Sequence, residues 1–305
     1  MFWGCSGFLG AFDGCSFIGL RLLDKVFLLV YLSFLLVSLC FGGGVGGLAG
    51  MKIVALCNQK GGVGKTTSAV NLSVALGILG KKVLLIDLDP QANSSVSFFG
   101  FDVFNAQPSM YNLLVEENVG VRDVLRRSEE GIDVLPSNLN LAGAELELTG
   151  SIAGETALRD KLGPVQGDYD YIFVDCPPAL NIFTINALVA ATDVFVCVQP
   201  SFLPMVGTEQ LTKTINIVKD RLNKQLRITG VILTMCDERK IISRESINEI
   251  NRYFSDVVFD SRIRIDVKLE EAPSHMKSIF KYDANSRGAE DYMSLAKEVV
   301  RRVQG

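Results

Sequence analysis

The chain has 305 residues, 48% of them hydrophobic, and a formal net charge of −4. Its seven cysteines show no CxxC or zinc-like spacing, which argues against a structural zinc centre, and His275 is the one candidate for a histidine base. Charge is unevenly placed, net −7 over residues 51–204 and net +3 over 205–305, so a nucleic-acid surface is permitted in the last third but not demanded.

Residues 1–50 read differently from the rest. Sixteen residues from Val26 to Phe41 carry no charge, Arg21 and Lys25 precede them, and a glycine-rich tract from Gly42 to Gly50 follows. The run raises the mean hydropathy to +0.28 but falls short of the roughly 20 apolar residues of a span. We read translation as starting at Met51 and the leader as an extended reading frame; a membrane anchor and a cleaved signal are the alternatives. What remains, 51–305, is about 255 residues, enough for one sizeable core.

The first strand is predicted over Lys52–Cys57. It runs into Lys60-Gly61-Gly62-Val63-Gly64-Lys65-Thr66-Thr67, and a helix is expected from Thr66 to about Leu79. Glycines at 61, 62 and 64 let backbone N–H groups turn toward a phosphate without a Cβ in the way, and the helix amino end favours an anion. Lys65 can then reach the β- and γ-phosphates, and the Thr66 hydroxyl can hold Mg²⁺. The strict pattern Gly-x₄-Gly-Lys-Ser/Thr fails, because Gln59 stands where its first glycine belongs. Lys60 is a second lysine five residues before Lys65. Two ammonium groups around one triphosphate repel unless they serve different phosphates or different molecules.

The second strand, Lys82–Leu88, carries Asp87 and leads to Asp89-Pro90. A helix at Ser109–Glu116, a strand at Ile132–Leu135 and helices at Leu139–Thr149 and Glu155–Leu162 follow. The strand Tyr169–Asp175 ends in an aspartate followed by Cys176-Pro177-Pro178. Phosphoryl transfer needs carboxylates that hold the metal and one that orients the attacking water. Asp175 stands at a Walker B position, Asp87 is expected to support Mg²⁺ from further out, and Asp89 to orient the water. Each alone could be a turn former. The remaining elements are a helix at Phe183–Ala190, a strand at Val194–Gln199, a helix at Gly207–Leu222, a strand at Arg227–Met235 and a last helix over Arg287–Val303. Apolar strands alternating with helices indicate an α/β fold, a doubly wound, mostly parallel sheet with helices on both faces. Ligands there bind beyond the carboxyl ends of the strands. The four cysteines of the core, Cys57, Cys176, Cys197 and Cys236, fall in apolar runs and read as reduced core residues.

NQKGGVGKTT, DLDPQAN and DCPP, in that order and spacing, resemble the ParA/Soj type of partitioning ATPases, a class of P-loop proteins with a deviant Walker A loop. The resemblance spans Met51–Val303. It implies a nucleotide site made by Lys60 to Thr67, with Met235 and Asp237 of LTMCDERKIISRE beside the base. It also implies ATP and Mg²⁺ as cofactors, and an ATP-bound homodimer in which Lys60 completes the partner's site. That dimer binds double-stranded DNA without sequence preference and is stimulated by a ParB-type centromere-binding protein, in the cytoplasm and on the nucleoid. Lys213, Lys219, Arg221, Lys224 and Lys268 are the expected DNA contacts, while Asn216 replaces a DNA-contacting arginine of relatives. Ala179-Leu180-Asn181 stands where the family carries Ser-Leu-Gly, and Arg264, Ile265, Asp266 and Lys268 depart from the family's Ile-Pro-Arg-Asn-Val-Arg segment, which is expected near the base. A membrane-localised spatial regulator of the MinD type is the alternative. It would need an amphipathic extension rich in lysine, and the apolar positions of Arg287–Val303 are expected to face the core instead. A tyrosine kinase and an iron–sulfur reductase of the same superfamily are weaker matches, for want of a tyrosine cluster and of suitably placed cysteines.

Overall fold

The computed structural model describes residues 51–201 and 206–303; the leader lies outside them. Strands β1 (Lys52–Cys57), β2 (Val83–Asp87), β5 (Tyr171–Asp175) and β6 (Asp193–Val198) are buried almost throughout. With β3 (Arg126–Arg127), β4 (Asp133–Leu135), β7 (Arg227–Cys236) and β8 (Val258–Arg264) they form one sheet in the order β3-β4-β2-β5-β1-β6-β7-β8. Every pairing is parallel except β3 with β4. The predicted α/β sheet is therefore the observed one.

Alternation along the strands separates two cores. Ile53, Ala55, Leu84, Ile86, Ile172 and Val174 face one side, where Leu113, Leu148, Leu188, Ile215 and Ile250 cover them from successive helices. Val54, Leu56, Val83, Leu85, Tyr171 and Phe173 face the other, covered by Leu72 and Leu76 of the helix Lys65–Ile78 and by Tyr292, Leu295 and Val299 of the helix Arg287–Val303. The last helix thus uses its apolar face on the core, as expected. Among the described residues no helix is long and apolar enough to cross a membrane.

Several elements differ from the sequence reading. β2 and β5 are shorter by one or two residues at their ends, and β7 runs one residue further, to Cys236. The helices Asn93–Phe99 and Ile241–Phe254 and the strands β3 and β8 are additions. β8 reads Val-Phe-Asp-Ser-Arg-Ile-Arg, too polar for an apolar run, and it is the last strand in the sheet order. The last helix supplies carboxylates to its backbone: Asp260 and Ser261 N–H donate to the two Glu298 oxygens at 2.8 Å each, and Arg264 N–H donates to Asp291 Oδ2 at 2.8 Å. Donors that an edge strand would present to another chain are satisfied in this way. Inside the sheet, Phe195 and Phe259 meet edge to face at 5.2 Å. Gly230 leaves room for them, since a Cβ there would lie 2.4 Å from Phe259 and 2.6 Å from Phe195.

The chain passes from β1 to β2 on one side of β5 and later returns to β6 on the other side of β1. That reversal makes the carboxyl end of β1 a topological switch point, the place where such sheets bind ligands.

Candidate active site

The loop leaving β1 is held at both ends. Asn58 Nδ2 donates to the Cys197 carbonyl at 2.6 Å and Asn58 Oδ1 accepts from the Lys60 N–H at 2.9 Å. Thr234 Oγ1, on β7, donates to the Val63 carbonyl at 2.8 Å. Between these ties Gly62 and Gly64 take φ of 71° and 79°, left-handed values that a side chain would strain. Gly61 and Gly62 are exposed, so the turn presents backbone to solvent. The helix then begins at Lys65, one residue earlier than expected.

Lys65 is 6% exposed, and its Nζ donates to the Lys60 carbonyl at 3.3 Å. No carboxylate pairs with it among the described residues. A buried ammonium with a lone carbonyl acceptor is costly to hold, and an anion in the loop would relieve it. The Lys60 residue, by contrast, is exposed. The two lysines of the motif therefore occupy different environments.

Asp87 and Asp175 are register partners at the carboxyl ends of β2 and β5, and Asp175 is also paired with Leu56 of β1. By alternation both carboxylates lie on the side of the sheet that the helix Lys65–Ile78 covers. Both are fully buried. Asp87 Oδ1 accepts from the Asp89 N–H at 3.2 Å, and its Oδ2 accepts from Ser95 N–H at 2.8 Å and Ser95 Oγ at 2.7 Å. Asp175 Oδ2 accepts from Ser94 Oγ at 2.6 Å, while Asp175 Oδ1 has no hydrogen-bond partner of normal geometry.

Burial, and then the neighbouring Asp175 charge, push the Asp87 carboxyl above the usual carboxylate range, with Ser95 opposing. Burial raises Asp175 as well, opposed by Ser94, the Thr66 hydroxyl and the Lys65 ammonium. Two adjoining buried carboxylates of raised pKa, one with an orphaned oxygen, are what a hydrated cation would neutralise. The residues present fit a magnesium ion, which Thr66 and Asp175 would hold with support from Asp87.

Asp89 is 8% exposed and stands on the loop after β2. Its Oδ1 accepts from the Gln91 N–H at 2.9 Å and its carbonyl from the Ala92 N–H at 2.9 Å, so it also forms the turn that carries it. Ala92 closes that turn with a left-handed φ of 56°.

Beside Gly64 a cavity of about 270 Å³ is walled by Met235, Ile263, Ile265, Leu269 and Pro273, with Thr67, Thr234, Arg264, Asp266 and Glu270 as its polar lining. An apolar slot that opens onto a phosphate loop can take a flat base. Met235, expected there, lines it with a φ of 51°. Asp237 does not line it. Its carboxylate pairs with Arg239 at 2.8 Å and Lys240 at 3.8 Å, and chiefly the hydrogen bond from Arg239 pulls its pKa down to about 2. Residues 264–268 were expected near the base by resemblance, and Arg264, Ile265 and Asp266 line the slot, whereas β8 had no signal as a strand. A larger cavity of about 680 Å³ lies at the β8 edge near Asp256, Arg262 and Arg302, and it contains no residue of the loop.

Lys213, Lys219 and Arg221 lie on the helix Val206–Arg221 and Lys224 just after it, all exposed and without an ion pair among the described residues. At 100° per residue Lys213 points away from the buried Leu211, Ile215 and Val218, whereas Lys219 and Arg221 lie on opposite flanks of that face. Lys268 is engaged elsewhere, paired with Glu271 at 3.0 Å and 5.5 Å over the Tyr282 ring. Cys57, Cys176, Cys197 and Cys236 are free and buried, as read from the sequence.

A family model described as an AAA domain matches residues 51–228. The sporulation initiation inhibitor protein Soj of Bacillus subtilis is 45% identical over 249 residues, 81% of this chain and 98% of its own length. The chromosome partitioning protein ParA of Caulobacter vibrioides is 40% identical over 254 residues, 83% of this chain and 95% of its own. Among solved structures, cobyrinic acid a,c-diamide synthase from Mycobacterium smegmatis with bound ADP and magnesium matches with a TM-score of 0.73 at 32% identity, over 84% of this chain and 96% of that one.

Proposed function

This chain belongs to the ParA/Soj family of partitioning ATPases, and on that premise we propose that it hydrolyses ATP with Mg²⁺ to drive the partition of a chromosome or plasmid. The observation that carries the reading is that a buried Lys65 ammonium, with a carbonyl as its hydrogen-bond acceptor, and a buried Asp175 with an unpartnered Oδ1 stand at one switch point.

The loop N–H groups of 61–66 cradle the phosphates, and Lys65 neutralises the β- and γ-phosphates. Magnesium, when bound, supplies charge neutralisation as the γ-phosphoryl group departs. Thr66 and Asp175 hold it, and Asp87 supports them. Asp89, at the mouth, orients the attacking water. Met235 and the Ile263–Pro273 walls hold the base, with Asp237 and its Arg239 partner at the rim.

The exposed Lys60 crosses to the nucleotide of a second copy, so that ATP joins two protomers. The ATP-bound homodimer binds double-stranded DNA non-specifically through Lys213, Lys219, Arg221 and Lys224, with Lys268 available only if it releases Glu271. A ParB-type centromere-binding protein stimulates hydrolysis and release, in the cytoplasm and on the nucleoid. Partition stands ahead of a membrane-localised MinD-type role because the curated relatives at 40–45% identity carry sporulation and chromosome-partitioning names.

Lys60→Ala tests the trans assignment. ATP affinity is expected to stay within about threefold, while the ATP-dependent dimer disappears from light scattering and turnover falls about 10³-fold, the scale of a cation supplied in trans. A dimer of normal strength in this variant would remove Lys60 from the partner's site.

A further inference from the structure

Ser94 and Ser95 open the helix Asn93–Phe99, where polar residues would pass for ordinary caps. Both are 0% exposed. Their side chains turn to different strands: Ser94 Oγ donates to Asp175 Oδ2 at 2.6 Å and Ser95 Oγ to Asp87 Oδ2 at 2.7 Å. The Ser95 hydroxyl has its direction set from behind, because the Ser137 N–H, from the segment after β4, donates to it at 2.9 Å. Its one proton is thereby committed to Asp87.

Three of the four carboxylate oxygens at the strand ends are occupied by these bonds and by the Asp89 N–H; Asp175 Oδ1 is the one that is not. We infer that Ser94 and Ser95 are a paired clamp of positioning residues that turns the Asp87–Asp175 couple so that Asp175 Oδ1 alone is offered to a hydrated divalent cation. The inference rests on the proposed ATPase function and deepens it. Ser94 fixes the rotation of the carboxylate nearest the cation. Ser95, through Asp87 Oδ2 and the Asp89 N–H on Asp87 Oδ1, ties the loop of the water-orienting residue to the same frame. Supporting hydrogen bonds of this kind tune metal affinity or activity by about 10–100-fold.

The test separates the two serines. In Ser94→Ala, ATP binding measured in EDTA is expected to stay within about twofold, while the gain in affinity on adding Mg²⁺ shrinks about tenfold or more. In Ser95→Ala, kcat is expected to fall about tenfold or more with KM for ATP unchanged. Ser94→Thr and Ser95→Thr, which keep the hydroxyl, should restore each property. If an alanine variant does not give a folded melt, the near-isosteric cysteine variant is measured instead, and its weak S–H donor should give the same losses. Variants within twofold of wild type in both readouts would overturn the clamp while leaving the ATPase assignment intact. A wild-type protein without Mg²⁺-dependent ATP binding would overturn both.

Discussion

Lys65→Ala is expected to lose ATP binding altogether at millimolar nucleotide. Removing one member of a buried charge pair weakens binding by about 2–5 kcal/mol, which is roughly 30-fold to several thousand-fold in Kd. The same substitution should not weaken the nucleotide-free fold. Lys65 is buried with a carbonyl as its one hydrogen-bond acceptor, so its ammonium burdens the folded state until an anion arrives. The melt of the ATP-free variant should therefore stay level or rise, while the ATP-dependent increase seen in wild type vanishes. That increase is about 2.7 kcal/mol when ATP stands at 100 times its Kd. A variant that unfolds early without nucleotide would show that Lys65 is structural.

Asp89→Ala has the second largest expected effect, on turnover and not on binding. A group that orients or activates the attacking water contributes about 10²–10⁴-fold, so hydrolysis should fall at least about a hundredfold while ATP is still bound and the dimer accumulates. Part of any loss could come from the turn, because Asp89 Oδ1 accepts from the Gln91 N–H. That bond is worth about 1 kcal/mol. Asp89→Asn separates the two effects, since the amide keeps an acceptor for Gln91 and removes the charge. Asparagine turnover as low as that of alanine supports the chemical role. Asparagine turnover near wild type would leave Asp89 as a turn former.

The parts of the site that were legible in the sequence are those whose physics is local. The phosphate loop is a run of consecutive residues whose glycines, lysines and flanking strand all lie within residues 52–67. Asp87 and Asp175 could be read as strand-end carboxylates because the strands before them are apolar runs. Their pairing across the sheet depends on β2 and β5 being neighbours, which only the topology supplies. β8 was not legible, because its backbone donors are met by Glu298 and Asp291, far along the chain. Resemblance placed residues 264–268 near the base, but the walls Ile263, Leu269 and Pro273 were missed along with β8. Ser94 and Ser95 gave no signal, since their partners sit 81 and 8 residues away and a serine at a helix start is ordinary. Asp237 was placed beside the base by resemblance, whereas in the structure it pairs with Arg239 and Lys240 and does not line the slot.

The most direct test of the central claim is retention of the purified protein on unrelated DNA duplexes, with ATP, with ADP and without nucleotide, across a salt series. The account predicts retention with ATP only, equal for every sequence. Four basic contacts of the kind offered by Lys213, Lys219, Arg221 and Lys224 should lose about a hundredfold in affinity over a fourfold rise in salt. Retention that ignores the nucleotide, or none under any condition, would contradict a nucleotide-switched DNA-partitioning ATPase.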